Sequence, residues 1–446
     1  MSARSYEELR AQLGELISIP SVSADPAHAD DVEQAADWVA EAIRSAGGEA
    51  AVEARDGGRP LVIGEVGASN GANGAPTVLV YAHFDVQPAD PLELWDTPPF
   101  ELAEREGWLY ARGVADDKAQ LLMLIEAARQ LSAAGELPVN VRFALDSEEE
   151  VGGQSIVEWV AGDERGADAA IVFDGDMFRR GVPTFNTALR GLCYFHVTAR
   201  TGARDLHSGL FGGVALNATH ALMQALSAVT AKDGRVPDPL RVGLEPPTAE
   251  EREGWATLPD GAGPLAEVGA QPSDAQALAE YYNRTWAEPS VDVHGIAGGS
   301  PDLVKTVLPV HARANVSIRI AAGQNVADVS AAFEKLLREA APVGAELGIE
   351  LVSSAEPGVI SPDAPALALA REAFESVFGG SSLLVRVGGS VPVVASLAGR
   401  GIPTISTGIA TTDANAHSPN ERFPVEHLTL GVDAIRETYR RLGQLG

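Results

Sequence analysis

A single cysteine, Cys193, serves a chain of 446 residues, so no internal disulfide can form and no metal site can be built on paired thiolates. That thiol count fits a reducing compartment, and the expectation is a cytoplasmic protein. Long apolar runs are also missing: none approaches the ~18 residues needed to span a bilayer. The first ten residues are polar and carry acids, without the basic start and apolar stretch of a secretory signal, so none is expected. Basic residues are scarce, 33 Lys and Arg against 62 Asp and Glu, for a formal charge of −29. Such a balance repels phosphate backbones and anionic lipid, which argues against nucleic acid or a membrane as partner. Most of the acidic excess reads as solubility, and a smaller share as acids gathered at a cation site.

What is present describes an ordinary folded protein. Hydrophobic residues make up 45% of the chain, and mean hydropathy is near zero. At this length single cores split, so two domains are expected. Helical spacing marks 6–18, 30–46, 119–134 and 152–160, and strand-like runs fall at 49–54, 61–66, 77–82, 108–111, 139–145 and 169–173. The Gly/Asn-rich stretch 67–76 lacks the lysine and following helix of a phosphate cradle and reads as a hairpin loop. Alternation of this kind predicts an α/β fold, with a mostly parallel sheet flanked by helices. A different unit begins near Leu192, with strands at 192–200, 312–320 and 346–353, helices at 215–231 and 326–341, and a long Pro/Gly-punctuated section at 233–299. After 356–358 the first pattern resumes. The expected division is therefore a catalytic domain in two parts, 1–187 and 356–446, with an α+β domain inserted at 188–355.

The chemistry-bearing residues cluster at the ends of the strands. His83-Phe84-Asp85 follows one apolar run, and Ala115-Asp116-Asp117-Lys118 follows another. Ser147-Glu148-Glu149-Glu150-Val151-Gly152-Gly153, Phe173-Asp174-Gly175-Asp176 and Ala416-His417-Ser418-Pro419-Asn420-Glu421 complete the set. Ligands of open α/β sheets bind at such strand ends. Histidine and carboxylate donors without cysteine select zinc, cobalt or manganese, and two histidines with several acids exceed what one ion needs. From the residues alone, Glu148, Glu149 and Glu150 are each candidates for ligand or base, and Asp174 competes with Asp176. A solvated acidic run is the plain alternative for the triplet, and a packed or surface side chain for each histidine.

These five ordered segments, together with 17–22 near the start, make the chain similar to the di-metal aminopeptidase-like family. That family, metallopeptidase family 20, holds carnosine dipeptidases, other dipeptidases, carboxypeptidase G, acetylornithine deacetylase and aminoacylase. Two positions depart from its pattern: Ala119 and Gly153 stand where glycine and serine are usual, and neither replaces a ligand. The resemblance implies two divalent ions per chain, zinc first, bridged by Asp116, with His83 and Asp174 on one and Glu150 and His417 on the other. It further implies that Asp85 fixes the His83 tautomer and that Glu149 is the general base.

In the inserted domain the resemblance implies that His207 stabilises the tetrahedral oxyanion, in some members across a dimer. It also implies that Thr306, Arg319, Gly389 and Ser390 hold the substrate carboxylate, for which a guanidinium fork is suited. The expected activity is hydrolysis of dipeptides or short peptides by a homodimer joined through the inserted domain, which the resemblance makes a lid. N-acyl-amino-acid hydrolysis is the alternative, and a non-catalytic peptide-binding relative is a more remote one.

Overall fold

The computed structural model describes residues 4–55, 58–69, 74–389 and 391–445. The chain divides into two compact units: Met1–Thr187, Ile360–Val385 and Pro392–Gly446 form the first, and Ala188–Val359 with Arg386–Val391 the second. No helix among the described residues is long and apolar enough to cross a membrane.

The first unit is built on a sheet whose strands run in the order Glu49–Glu53, Leu61–Val66, Asn140–Leu145, Thr77–Tyr81, Ala169–Phe173, Thr404–Gly408 and Thr184–Leu189. Its centre is parallel: Thr77–Tyr81 pairs in parallel with Asn140–Leu145 and Ala169–Phe173, which pairs likewise with Thr404–Gly408. These central strands are buried along almost their whole length, as a sheet covered on both faces requires. Lys118–Ala134 packs nearly all its residues inside and ends at Gly135 in the left-handed region. Phe374, on helix Pro365–Phe378, sets its ring edge-on to Phe173 and Phe185.

Three expectations change at this level. The segment 67–76 does not close a hairpin, because Asn140–Leu145 lies between the two strands it joins. Trp108–Tyr110 is not part of the central sheet. It pairs with Ala103–Arg105 and Arg422–Pro424 in a small sheet of its own, and this pairing carries the end of the His417 segment to the Asp116 loop. The helix expected from Gly152 starts at Gln154, since Gly152 and Gly153 both have positive φ and Glu149–Val151 forms a single tight turn.

The second unit is an antiparallel sheet in the order Ser290–Ala297, His311–Ile320, Gly191–Arg200, Glu346–Ala355. Ser290–Ala297 lies inside the section expected to be irregular. Strict alternation in Gly191–Arg200 sends Cys193, Phe195, Val197 and Ala199 to one face. There they meet Leu222 of helix Ala218–Ser227 and Phe333 and Leu337 of helix Val326–Ala340. The Ala218–Ser227 helix is shorter than expected, starting where Asn217 caps it. Within 233–299, Trp255 packs edge-on against Trp286, and Glu251 forms a buried ion pair with Arg386.

Candidate metal centre

Residues distant in sequence meet just beyond the parallel strands of the first unit. Asp116 stands in the middle: one oxygen lies 2.9 Å from His83 Nε2 and the other 2.9 Å from His417 Nε2. Around His83 the third donor is Asp174, 3.9 Å from Nε2. Around His417 it is Glu150, at 3.2 Å. In each of the two trios, His83–Asp116–Asp174 and Asp116–Glu150–His417, one donor atom per residue lies within 4.8 Å of the others.

The supporting contacts hold this arrangement from behind. Asp85, fully buried, accepts the backbone N–H groups of Glu149 and Glu150, one on each oxygen, at 3.2 Å. It also faces His83 Nδ1, at 3.3 Å from its carboxylate and 3.1 Å from its carbonyl. The Asp117 carboxylate accepts the backbone N–H of His83 at 3.3 Å and the Gln120 side-chain amide at 2.8 Å. Gln87 donates to Glu150 at 2.7 Å.

Glu148 is engaged elsewhere: its carboxylate accepts the backbone N–H groups of Ser155 and Arg59 at 2.5 and 2.9 Å. Glu150 is the member of the triplet that reaches His417, and Glu149 lies close enough to feel the charges of His83 and Asp116. Asp176 opens a two-residue strand paired with Ala410 and lies outside both trios. At Gly153, φ is +58° and an added Cβ would stand 3.2 Å from Asp146 Oδ2, so a serine in this backbone would be strained. Ala119 is buried in the first turn of its helix.

Electrostatics explain what the cluster is suited to hold. Burial would lift the Asp116 carboxyl, but hydrogen bonds from His417 and His83 keep it well below the usual carboxylate range. Burial opposes a charge on His83, yet Asp116 and Asp85 hold its pKa well above the ordinary value. Hydrogen bonds to Asp116 and Glu150 push His417 up to about 10. Burial raises Asp174 and Glu149. Carboxylates crowded in this way attract positive charge, and protons on two imidazoles are one way to supply it. Divalent cations are another, and imidazole nitrogen with carboxylate oxygen is a donor set of zinc and its neighbours.

Four residues outside the expected set take part in this support: Gln87, Arg112, Asp117 and Glu421. Glu421 stands inside a quoted motif and Gln87 two residues after another, but nothing in their spacing marks them, because their partners lie 63 and about 300 residues away.

His207, Thr306 and Arg319 of the inserted domain belong to the second unit, and so does the loop of Gly389, expected in the second part of the catalytic domain, because Arg386–Val391 clusters with Ala188–Val359. His207 is exposed and pairs across a short ladder with Val307, and its Nδ1 accepts the Gly209 N–H at 3.0 Å. The Thr306 carbonyl accepts both the N–H and the hydroxyl of Ser208. Arg319 is half-buried on His311–Ile320, opposite Leu192 and Ser290. Gly389 lies in the loop after Leu383–Val387 with open space where a side chain would go, and Ser390 falls outside the described residues.

A cysteinylglycine-S-conjugate dipeptidase of Corynebacterium striatum is 28% identical over 448 residues, covering 97% of this chain and 96% of that protein. A Cys-Gly metallodipeptidase of Schizosaccharomyces pombe is 28% identical over 462 residues, covering 96% and 94%. The solved structure of the dipeptidase Dug1p from Saccharomyces cerevisiae superposes with a TM-score of 0.75 at 25% identity, covering 98% of this chain and 96% of that one. The model of Peptidase family M20/M25/M40 matches residues 79–441, a span that takes in both trios, and the chain therefore belongs to this metallopeptidase family.

Proposed function

We propose that this protein is a dipeptidase dependent on two divalent ions, hydrolysing the peptide bond of dipeptides or short peptides. The observation that carries the reading is Asp116 presenting one oxygen to each of two histidine–carboxylate groups. His83, Asp116 and Asp174 would hold one ion, and Asp116, Glu150 and His417 the other, with zinc the first choice for this donor set. When bound, the ions polarise the scissile carbonyl and ease deprotonation of water at neutral pH.

The chain's own residues do the rest. Glu149, whose pKa burial raises, takes the proton of the attacking water and returns it to the leaving amine. Asp85 orients the His83 ring and holds the Glu149 and Glu150 backbone in register. His207 donates to the oxyanion, and Arg319 with Thr306, Gly389 and Ser390 receives the substrate carboxylate. A lid inserted at 188–355, dimerising through itself, and a cytoplasmic setting complete the proposal, the last supported by the single cysteine. The relatives' names favour dipeptides over N-acyl amino acids.

Zinc-loaded protein assayed against a dipeptide panel and an N-acyl-amino-acid panel tests the reading. Release of amino acids from dipeptides, lost on chelation and regained with zinc, cobalt or manganese, is the expected result. Turnover confined to the N-acyl substrates would overturn it.

A further inference from the structure

Glu421 comes four residues after His417, and its side chain is fully enclosed. A carboxylate in such a place needs donors, and this one has four. Oε2 accepts Arg112 Nη1 at 2.7 Å and the Gly113 N–H at 2.9 Å. Oε1 accepts the N–H groups of Ala115 and Asp116 at 2.8 and 3.2 Å. The Glu421 carbonyl also accepts the Ala111 N–H at 3.2 Å. One residue of the His417 loop thus holds both ends of the turn that carries Asp116. That turn has no slack on its far side, since Gly113 has φ +80° and a Cβ there would meet Val86 Cγ1 at 2.5 Å.

We infer that Glu421 is a positioning residue that fixes Asp116 between the two ion positions and thereby sets the affinity of both. The inference rests on the two-ion reading above. Its physical basis is that both oxygens must accept. A glutamine in the same place has one accepting and one donating end, so its NH₂ confronts either the Arg112 guanidinium and the Gly113 N–H or the N–H groups of Ala115 and Asp116. Asp116 then shifts, and because it belongs to both trios, both ions feel the shift. A side chain acting only as glue would lower stability and leave ion binding alone.

The experiment titrates zinc, against a competing chelator, into metal-stripped full-length wild type, E421Q and E421D, and records the thermal melt of each stripped protein. Stripped E421Q is expected to melt cooperatively and to bind zinc roughly 10- to 100-fold more weakly at both positions, the range for lost support behind a ligand. E421D keeps two accepting oxygens one methylene short and is expected to weaken binding less. Wild-type zinc affinity in E421Q, with or without a lowered melting temperature, overturns the inference. If E421Q does not fold, wild-type affinity in E421D overturns it and weakened affinity supports it. Wild type that binds no zinc overturns the two-ion reading itself.

Discussion

Around Asp116 the supporting charged side chains are enclosed and hydrogen-bonded, whereas on the open face of the second unit's sheet they stand in water. Arg112, Asp117, Lys118 and Glu421 are buried beside the candidate centre. Each has named partners, Lys118 donating to the carbonyls of Leu16 and Ile19 at 3.0 and 2.7 Å. On the antiparallel sheet, Arg200, Arg313 and Glu350 point away from the core and are exposed. The first arrangement costs desolvation and gives fixed geometry, which catalysis by oriented charges requires. The second costs little and fixes little. Beside the candidate centre, the expensive electrostatics are thus held largely in the loops that follow the strands.

Substitutions can break this contrast or sharpen it. The largest effect is expected in the cluster: Asp116→Ala should lose both ions in elemental analysis, whereas Glu149→Ala should keep them and lose roughly 10²- to 10⁴-fold in turnover. Retention of two ions by Asp116→Ala would break the contrast outright. Next comes Phe333, buried at 0% exposure with its ring centroid 4.5 Å from that of Phe195. Phe333→Ala should destabilise by about 3–5 kcal/mol in denaturant unfolding, and the zinc stoichiometry of the folded fraction should not change. Smallest is Arg313→Ala on the open face, which should shift unfolding by no more than about 0.5 kcal/mol. A larger loss would mean that this face is held by more than solvent.

The sequence made the central architecture readable because burial on both faces leaves an unmistakable apolar run. Leu61–Val66 and Ala169–Phe173 begin and end where their composition says. The α/β class with its inserted α+β part follows from their alternation with helices. Trp108–Tyr110 was legible as a strand but not as a member of a separate sheet, because a three-residue ladder is decided by its partner, Arg422–Pro424, and not by its own residues. The same limit applies at the site. Motif wording brought His83, Asp116, Asp174, Glu150 and His417 together as candidates. The engagement of Glu148 with Arg59 and Ser155, and of Glu421 with the Asp116 turn, depends on backbone N–H groups that no side-chain pattern announces.

Cys193 has a practical consequence. Its thiol lies beneath the second unit's helices, 3.9 Å from the Ser330 hydroxyl, and burial pushes its pKa up to about 11. Thiolate is the reactive form, so maleimide and disulfide reagents at neutral pH will pass this residue by. A cysteine introduced at any exposed position would carry a fluorophore or spin label alone, with no need to remove the native one first.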